Sequence, residues 1–354
     1  MLKFKRISPR ACFAFAIAIA LASQLVASSP VSAVVSWQIT DDSVSLGLTG
    51  VSPYVERAGL VDRLWRSAGL NGTEATDCTD AGVCSATALS GRFGSDFSVL
   101  KLADGSRRGY FDDMVQGSSN KQVFSAPCAN SECLTLGLKT ATSAEMVGNG
   151  AWGVPDPVLL PDGRVRIYIV ESPVTGSCAE KIASYVSDAS GITFTKEAGW
   201  RLEGGYVDTE ILRAITGDWL MITSNGPGCG QQQKLFITAS NDGLTWSTPT
   251  ALTGSDKSRL DPTGYEVSTN VFRIYYATAA TTMCGGNCVY TLARATLNIA
   301  TSAAQISITG NATTTTTKSS ITAGGACTKV GAKATSGKIK LTCKKVKGKL
   351  VWSK

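Results

Sequence analysis

The sequence predicts an all-β chain, a five-bladed β-propeller followed by a small disulfide-stapled β-hairpin. Three observations carry this reading. A two-strand pattern recurs five times at spacings of 44, 60, 52 and 53 residues. Cysteines recur at related places within those repeats. The charge balance reverses sharply after a Thr-rich segment near the C-terminus.

The chain has 354 residues, 43% hydrophobic and 17% charged, enough apolar material to bury a core. It contains no His. That excludes Ser-His-Asp and Cys-His catalysis, His-ligated zinc and an imidazole switch near neutral pH. Acid–base chemistry must fall to Asp, Glu, Tyr, Lys or Cys.

Residues 1–33 read as an export signal. Lys3, Lys5, Arg6 and Arg10 precede an apolar run from Ala11 to about Val26, and Val31 and Ala33 fit a small-residue cleavage site. No later run approaches a membrane span, so no transmembrane segment is expected after cleavage. The expected location is extracellular or at the cell envelope. Ten of the 11 Cys remain after cleavage, and in an exported chain an even set implies disulfides.

The propeller is expected over residues 34–310. Its repeats open at Asp96 (DFSVLKLADGSRRGYF), Asp156 (DPVLLPDGRVRIYIV), Asp208 (DTEILRAITGDWLMIT) and Asp261 (DPTGYEVSTNVFRIYYAT), with a fainter copy from Ser52. Each has an apolar strand, a Gly, Asp or Asn turn, and a second strand rich in aromatic or branched residues. KIASYVSDASGITFTKE and KLFITASNDGLTWSTP repeat further along their units, giving about four strands per blade. A β-sandwich with similar turn spacing is the alternative.

Cysteines are expected in the loop after each second strand, with pairs Cys78–Cys84, Cys128–Cys133, Cys178–Cys229 and Cys284–Cys288. Residues 311–326 form a Thr/Ser/Gly linker. The final module, residues 327–354, is expected to be a two-stranded hairpin stapled by Cys327–Cys343. From Lys318 onward there are 10 Lys and no acid, whereas residues 34–317 carry 20 basic and 27 acidic residues. The propeller is therefore acidic and the tail polycationic.

In a propeller the first strand of each blade lines the axis. Asp96, Asp156, Asp208 and Asp261 should then converge on one funnel, rimmed by the disulfide loops, with Glu210 two residues past Asp208 on the same face of its strand. Crowded carboxylates separate one another's pKa values, which suits one as acid and another as base. Trp152, Trp200 and Tyr206 are candidates for stacking on sugar faces, and Arg259 for gripping a carboxylate or hydroxyls. Each has a plainer reading, the acids as caps on backbone N–H groups and the aromatics as packing between blades. No metal or cofactor is implied: no Gly-rich phosphate loop leads from a strand into a helix, and no loop has cation-site spacing.

The D-P-x-x-x-x-x-D-G-x-x-x-x-Y pattern from Asp156 resembles the blade opening of the furanosidase-type glycoside hydrolase clan, which includes arabinanases, β-xylosidases and invertases. The resemblance implies a glycan-active propeller hydrolysing by general acid–base chemistry. Asp156 would orient substrate or tune a neighbour, Glu210 would donate the proton, and Asp96 or Asp208 would activate water. Blade one has Ser52 where the clan has Asp, and blade four opens on Asp208 where the clan has Glu. The second reading is a non-catalytic glycan-binding or envelope-associated propeller. SNDGLTW from Ser240 is similar to a shortened sialidase Asp-box, and reads equally as a hairpin turn with a packing Trp. The tail resembles the Lys-rich, Cys-paired modules that end many secreted actinobacterial proteins, which implies anionic envelope polymers as partners. Nucleic acid is not an expected partner of an exported protein.

Overall fold

The computed structural model describes residues 34–68, 72–91, 93–115, 117, 121–142, 153–171, 178–254, 256–279, 289–302, 330–331, 333–336, 339–346 and 349–353. The predicted signal, Trp152, Cys284, Cys288 and Cys327 lie outside them.

The chain is a five-bladed β-propeller of antiparallel sheets. Its first strand, β1 (Val34–Asp41), belongs to the last blade. Blade I comprises β2 (Val51–Ala58), β3 (Val61–Ser67), β4 (Thr73–Thr79) and β5 (Cys84–Thr87). Blade II comprises β6 (Ser95–Lys101), β7 (Arg107–Met114), β8 (Lys121–Pro127) and β9 (Thr140–Ala141). Blade III comprises β10 (Gly153–Leu159), β11 (Val165–Glu171), β12 (Lys181–Ser187) and β13 (Phe194–Lys196), with β14 (Leu202–Glu203) also on β12. Blade IV comprises β15 (Tyr206–Arg213), β16 (Trp219–Asn225), β17 (Leu235–Ser240) and β18 (Thr250–Ala251). Blade V is made of β19 (Ser258–Ser268), β20 (Val271–Ala279) and β21 (Thr291–Ser302), completed by β1.

The second strand of a blade is covered on both faces by its neighbours, so it reads as a near-continuous apolar run instead of an alternation. In β11 every residue of Val165–Val170 is buried, and in β16 every residue of Trp219–Ser224. Five buried clusters fill the five blade interfaces. Trp65, Phe97 and Phe111 join blades I and II, and Tyr110, Ile167 and Phe194 join II and III. Ile211, Tyr168 and Met221 join III and IV, Ile222 and Phe272 join IV and V, and Leu64 and Tyr275 join V and I.

The ring closes where the sequence offered no partner for VVSWQITD. Strand β1 pairs antiparallel with β21 from Val34↔Ser302 to Asp41↔Ala295. Side chains reinforce the splice. Asp41 accepts from the Tyr276 hydroxyl at 2.6 Å and from Arg259 Nη2 at 3.1 Å, and Asp42 accepts from Arg294 Nε at 2.6 Å.

Cys78–Cys84, Cys128–Cys133 and Cys178–Cys229 are bonded as the spacing predicts. Their placement differs in part. Cys78 ends β4 and Cys84 opens β5, and Cys128 and Cys133 follow β8, so these two bridges close turns after the third strand. Antiparallel order puts those turns at the opposite end of the blade from Asp96. Only Cys178–Cys229, among the described bridges, follows second strands and lies beside the funnel, joining blades III and IV. Gly205 packs under it with φ +83°; a Cβ there would lie 2.6 Å from both sulfurs.

SNDGLTW forms a turn braced by its own side chains. Asp242 Oδ1 accepts from Leu244 N and Thr245 N, and the Tyr168 hydroxyl of blade III donates to Gly243 O at 2.6 Å. The matching turn in blade III is held by the Tyr110 hydroxyl of blade II on Gly191 O. Both turns are thus ties between neighbouring blades.

Residues 305–354 form a separate compact unit. Among the described residues it holds three antiparallel strands, β22 (Lys333–Ser336), β23 (Ile339–Val346) and β24 (Lys349–Ser353), one more than the predicted hairpin. The added strand is KATS, whose small and polar residues gave no strand signal. Cys343 is fully buried and disulfide-bonded.

Candidate functional site

Every inner strand carries the same irregularity near its start. Ser52, Asp96, Val154, Asp208 and Asp261 have φ between +47° and +54°, each within a register shift against its second strand. Left-handed backbone at a bulge suits Asp and is unusual for a β-branched Val. These five residues are therefore equivalent, and they correct the predicted register of blade III. Asp156 does not match Asp96, Asp208 and Asp261; Val154 does. Asp156 matches Tyr54, Ser98, Glu210 and Thr263, two residues further in.

Both tiers face a central cavity of about 30 Å³ lined by Asp96, Asp156, Asp208, Glu210 and Asp261. The predicted convergence of carboxylates is thus present, in two layers. Ordinary ligand pockets hold roughly 300–1,000 Å³, well above this volume.

The inner tier is bonded around the ring in one direction. Asp156 Oδ2 accepts from Ile211 N at 2.6 Å, Glu210 Oε1 from Gly264 N at 3.1 Å, and Thr263 Oγ1 from Val55 N at 3.2 Å. Each acceptor is one blade, and each donor is the next blade's residue after its own inner-tier position. Between blades I and II the Tyr54 hydroxyl donates to Val99 O. Between II and III the corresponding residue is Pro157, which has no N–H, and Ser98 Oγ instead donates to Pro155 O at 2.8 Å. All five inner-tier side chains tie their blade to the next.

The outer tier is bonded similarly. Asp261 Oδ2 accepts from Ser52 N at 2.8 Å, and Ser224 Oγ donates to Asp208 Oδ2 at 2.6 Å. Asp208 and Asp261 stand near enough for each to perturb the other's titration. At the gap left by Val154, Asp112 of β7 substitutes, its Oδ2 accepting from Val154 N at 3.1 Å. Gly153 makes room: its φ is +77°, and a Cβ would sit 2.2 Å from the Asp112 carboxylate. Asp96 lies 3.8 Å from Lys121 Nζ, and its charge adds to the rise of Asp112.

Burial drives the titration of this group. Desolvation pushes Asp156 well above the ordinary carboxylate range, the Ile211 amide opposing it. Desolvation and then the Asp156 charge push Glu210 well up. Desolvation and then the Asp208 charge do the same for Asp261, and desolvation and then Asp96 for Asp112. Desolvation raises Asp208 too, against the bonds from Asp261 and Ser224. Burial thus favours the protonated form of Asp112, Asp156, Asp208, Glu210 and Asp261 over that of a solvated carboxyl.

Of the expected sugar-binding residues Asp261 lines the cavity, and Trp200, Tyr206 and Arg259 are outside its lining. Trp200 packs beside the blade II–III core beneath the ammonium groups of Lys181 and Lys196, 5.0 and 4.2 Å from its ring. Tyr206 stands edge-on to Phe236, with ring centres 5.4 Å apart. Arg259 donates to Asp256 and Asp41, so the carboxylates it holds are the protein's own. The sequence reading missed Asp112, Ser224 and Lys121, and also Tyr290, whose hydroxyl is raised by burial and then by Asp261 and Asp208. The FDD ending of β7 was the available signal, because a fully buried strand seldom closes on two acids. Among the described residues no group of three or more His, Cys, Asp or Glu could hold a metal ion.

No family model and no curated protein matches the chain. Solved structures do. A thermostable family-43 glycoside hydrolase is 14% identical with a TM-score of 0.52, over 73% of this chain and 91% of that one. An endo-arabinase from Bacteroides thetaiotaomicron VPI-5482 is 11% identical with a TM-score of 0.53, over 72% and 96%. An N-acetylgalactosamine deacetylase from F. plautii, in complex with blood group B trisaccharide, is 12% identical with a TM-score of 0.51, over 75% and 94%. At these identities the likeness is one of fold: the propeller has structural neighbours among family-43 glycoside hydrolases, and one neighbour carries a different reaction.

Proposed function

We propose that this is an exported carbohydrate-binding propeller whose axial carboxylates hold the ring together. One observation carries the choice between the two readings: each inner-tier side chain, Asp156 and Glu210 included, bonds to the next blade. Asp208 and Asp261 each perturb the other's titration, as crowded carboxyls do. Export is supported by the predicted signal and by three disulfides. Carbohydrate is supported by the glycan-directed proteins that share the fold.

Hydrolysis is the competing reading, and the raised proton affinity of Glu210 favours it, since a proton donor needs that property. Glu210 would donate, Asp156 would tune it, and Asp96 or Asp208 would activate water. Reducing-sugar release from arabinan and xylan decides the matter. The expected result is oligosaccharide binding by calorimetry and no release. Release that disappears in Glu210→Gln with an unchanged Tm would establish the enzyme instead.

The basic tail supports an envelope location. Deleting residues 318–354 should leave the propeller folded, because the two units are separately compact. The formal charge of residues 34–354 then falls from +3 to −7. Cosedimentation with cell walls should vanish on deletion and, in the full chain, weaken with salt, since exposed charges are screened over about 8 Å at physiological ionic strength. Equal binding with and without the tail would remove the envelope assignment.

A further inference from the structure

Space for a ligand exists at the other end of the blades. The turn from β6 to β7, the ends of β2 and the Cys128–Cys133 loop enclose a groove of about 590 Å³ between blades I and II. It lies about 16 Å along β6 from Asp96, at the strand rise of about 3.3 Å per residue. Its volume falls within the range of small-ligand sites, twentyfold above the axial cavity.

The groove is polar and its guanidinium groups are fixed. Arg107 spans the blade junction, donating to Glu56 of blade I and, through Nη1, to Ser131 O at 2.5 Å. Its Nε is buried without a partner among the described residues. Arg57 is held by Asp62 and Asp80, each at 2.9 Å. The disulfide fixes the opposite wall, where Asn130 Oδ1 accepts from Leu134 N and leaves the amide NH₂ as the donor. Lys101 is exposed and has no hydrogen bond or ion pair among the described residues. Arg57 is thus balanced by Asp62 and Asp80 and Arg107 by Glu56, which leaves Lys101, among the described residues, as the unpaired charge of the lining.

The geometry points to this groove as the binding site for an anionic sugar unit, a carboxylate- or phosphate-bearing saccharide, on the face opposite the axial acids. Lys101 meets the charge, while Asn130 and the fixed guanidinium groups orient the polar ring substituents. The two held guanidinium groups need no ordering on binding, whereas the Lys101 side chain does. The inference rests on the carbohydrate-binding reading and adds the ligand's charge and its place.

Hydrogen exchange of the full-length protein tests it, with trigalacturonate, glucose 6-phosphate and neutral maltotriose as probes. An anionic probe should protect residues 101–107 and 128–131, less so at high salt, and maltotriose should not. Protection by trigalacturonate alone assigns a carboxylate, and by glucose 6-phosphate alone a phosphate. Lys101→Glu should weaken binding at least about tenfold with an unchanged Tm, because the side chain is exposed and reverses the local charge. Equal protection by maltotriose, no protection at these segments, or an unaltered affinity in Lys101→Glu overturns the groove. Protection confined to other segments overturns it while leaving carbohydrate binding intact; no protection anywhere by any probe defeats both.

Discussion

Asp62→Ala should lower the melting temperature of the propeller by about 10 °C, at ~3–5 kcal/mol for an uncompensated buried charge and ~2–4 °C per kcal/mol in a chain of this size. Asp62 is completely buried between blades V and I. It accepts from the hydroxyls of Tyr265 and Tyr275, both at 2.5 Å, from Arg57 at 2.9 Å and from Arg273 at 3.0 Å. Burial alone would raise its pKa, but these four bonds outweigh it and hold the carboxylate below the ordinary range. Removing it leaves the Tyr265 and Tyr275 hydroxyls without their acceptor and leaves Arg57 and Arg273 to the Asp80 carboxylate alone at the interface that closes the ring. Asp62→Asn should cost nearly as much, since an amide offers one acceptor oxygen where four donors converge. Tyr275→Phe, which deletes one bond and leaves the carboxylate its other three, should cost about 1–2 kcal/mol. Thermal unfolding of the three variants checks the order, and a fall of under 2 °C in Asp62→Ala would refute the assignment.

The blade number was legible because a repeat imposes a period, and each unit must bury its faces against the next. The bridges Cys78–Cys84, Cys128–Cys133 and Cys178–Cys229 were legible for the same reason. Their faces were not, although Cys128 lies 32 residues from its blade start where Cys178 lies 22 from its own, a difference of more than one strand. Register failed in blade III because Asp156-Pro157 looks like Asp261-Pro262, while a bulge two residues earlier leaves no mark beyond Gly153. The closing role of β1 was hidden because its partner, β21, lies about 260 residues away. Arg259 looked available for a ligand because nothing in the sequence shows that Asp41 and Asp256 already hold it. Patterning reads what each strand buries; it does not read which long-range partner a polar side chain finds.

The propeller should be most stable at about pH 5 and lose stability as the pH rises toward 8. Asp112, Asp156, Glu210 and Asp261 are all pushed well above the ordinary carboxylate range, and Asp208 is raised as well. A raised carboxyl binds its proton more tightly in the folded state. Its penalty is absent below the unfolded pKa of about 4 and grows as the pH rises toward the folded value, ~1.4 kcal/mol for each unit of displacement. Asp41 and Asp62 are displaced downward, burial being outweighed by their hydrogen bonds, so their contribution is lost only as the pH falls below about 4. The two trends together place the maximum just above the ordinary range. Calorimetry between pH 4 and 9 should show Tm falling by roughly 5 °C or more from pH 5 to 8. Asp156→Asn isolates one contributor. The amide is nearly isosteric with the neutral acid, and its oxygen can still accept from Ile211 N. Removing the ionisable group also relieves Glu210, which the Asp156 charge helps to raise. The variant should match or exceed the wild type at pH 8 and show a shallower pH slope. Asp156→Ala loses the tie between blades III and IV and should be destabilised at every pH, by about 1–3 kcal/mol. A wild-type Tm that is flat or rising between pH 5 and 8, or an Asn variant less stable than the Ala variant, would show that the axial acids are ionised and hold the ring in some other way.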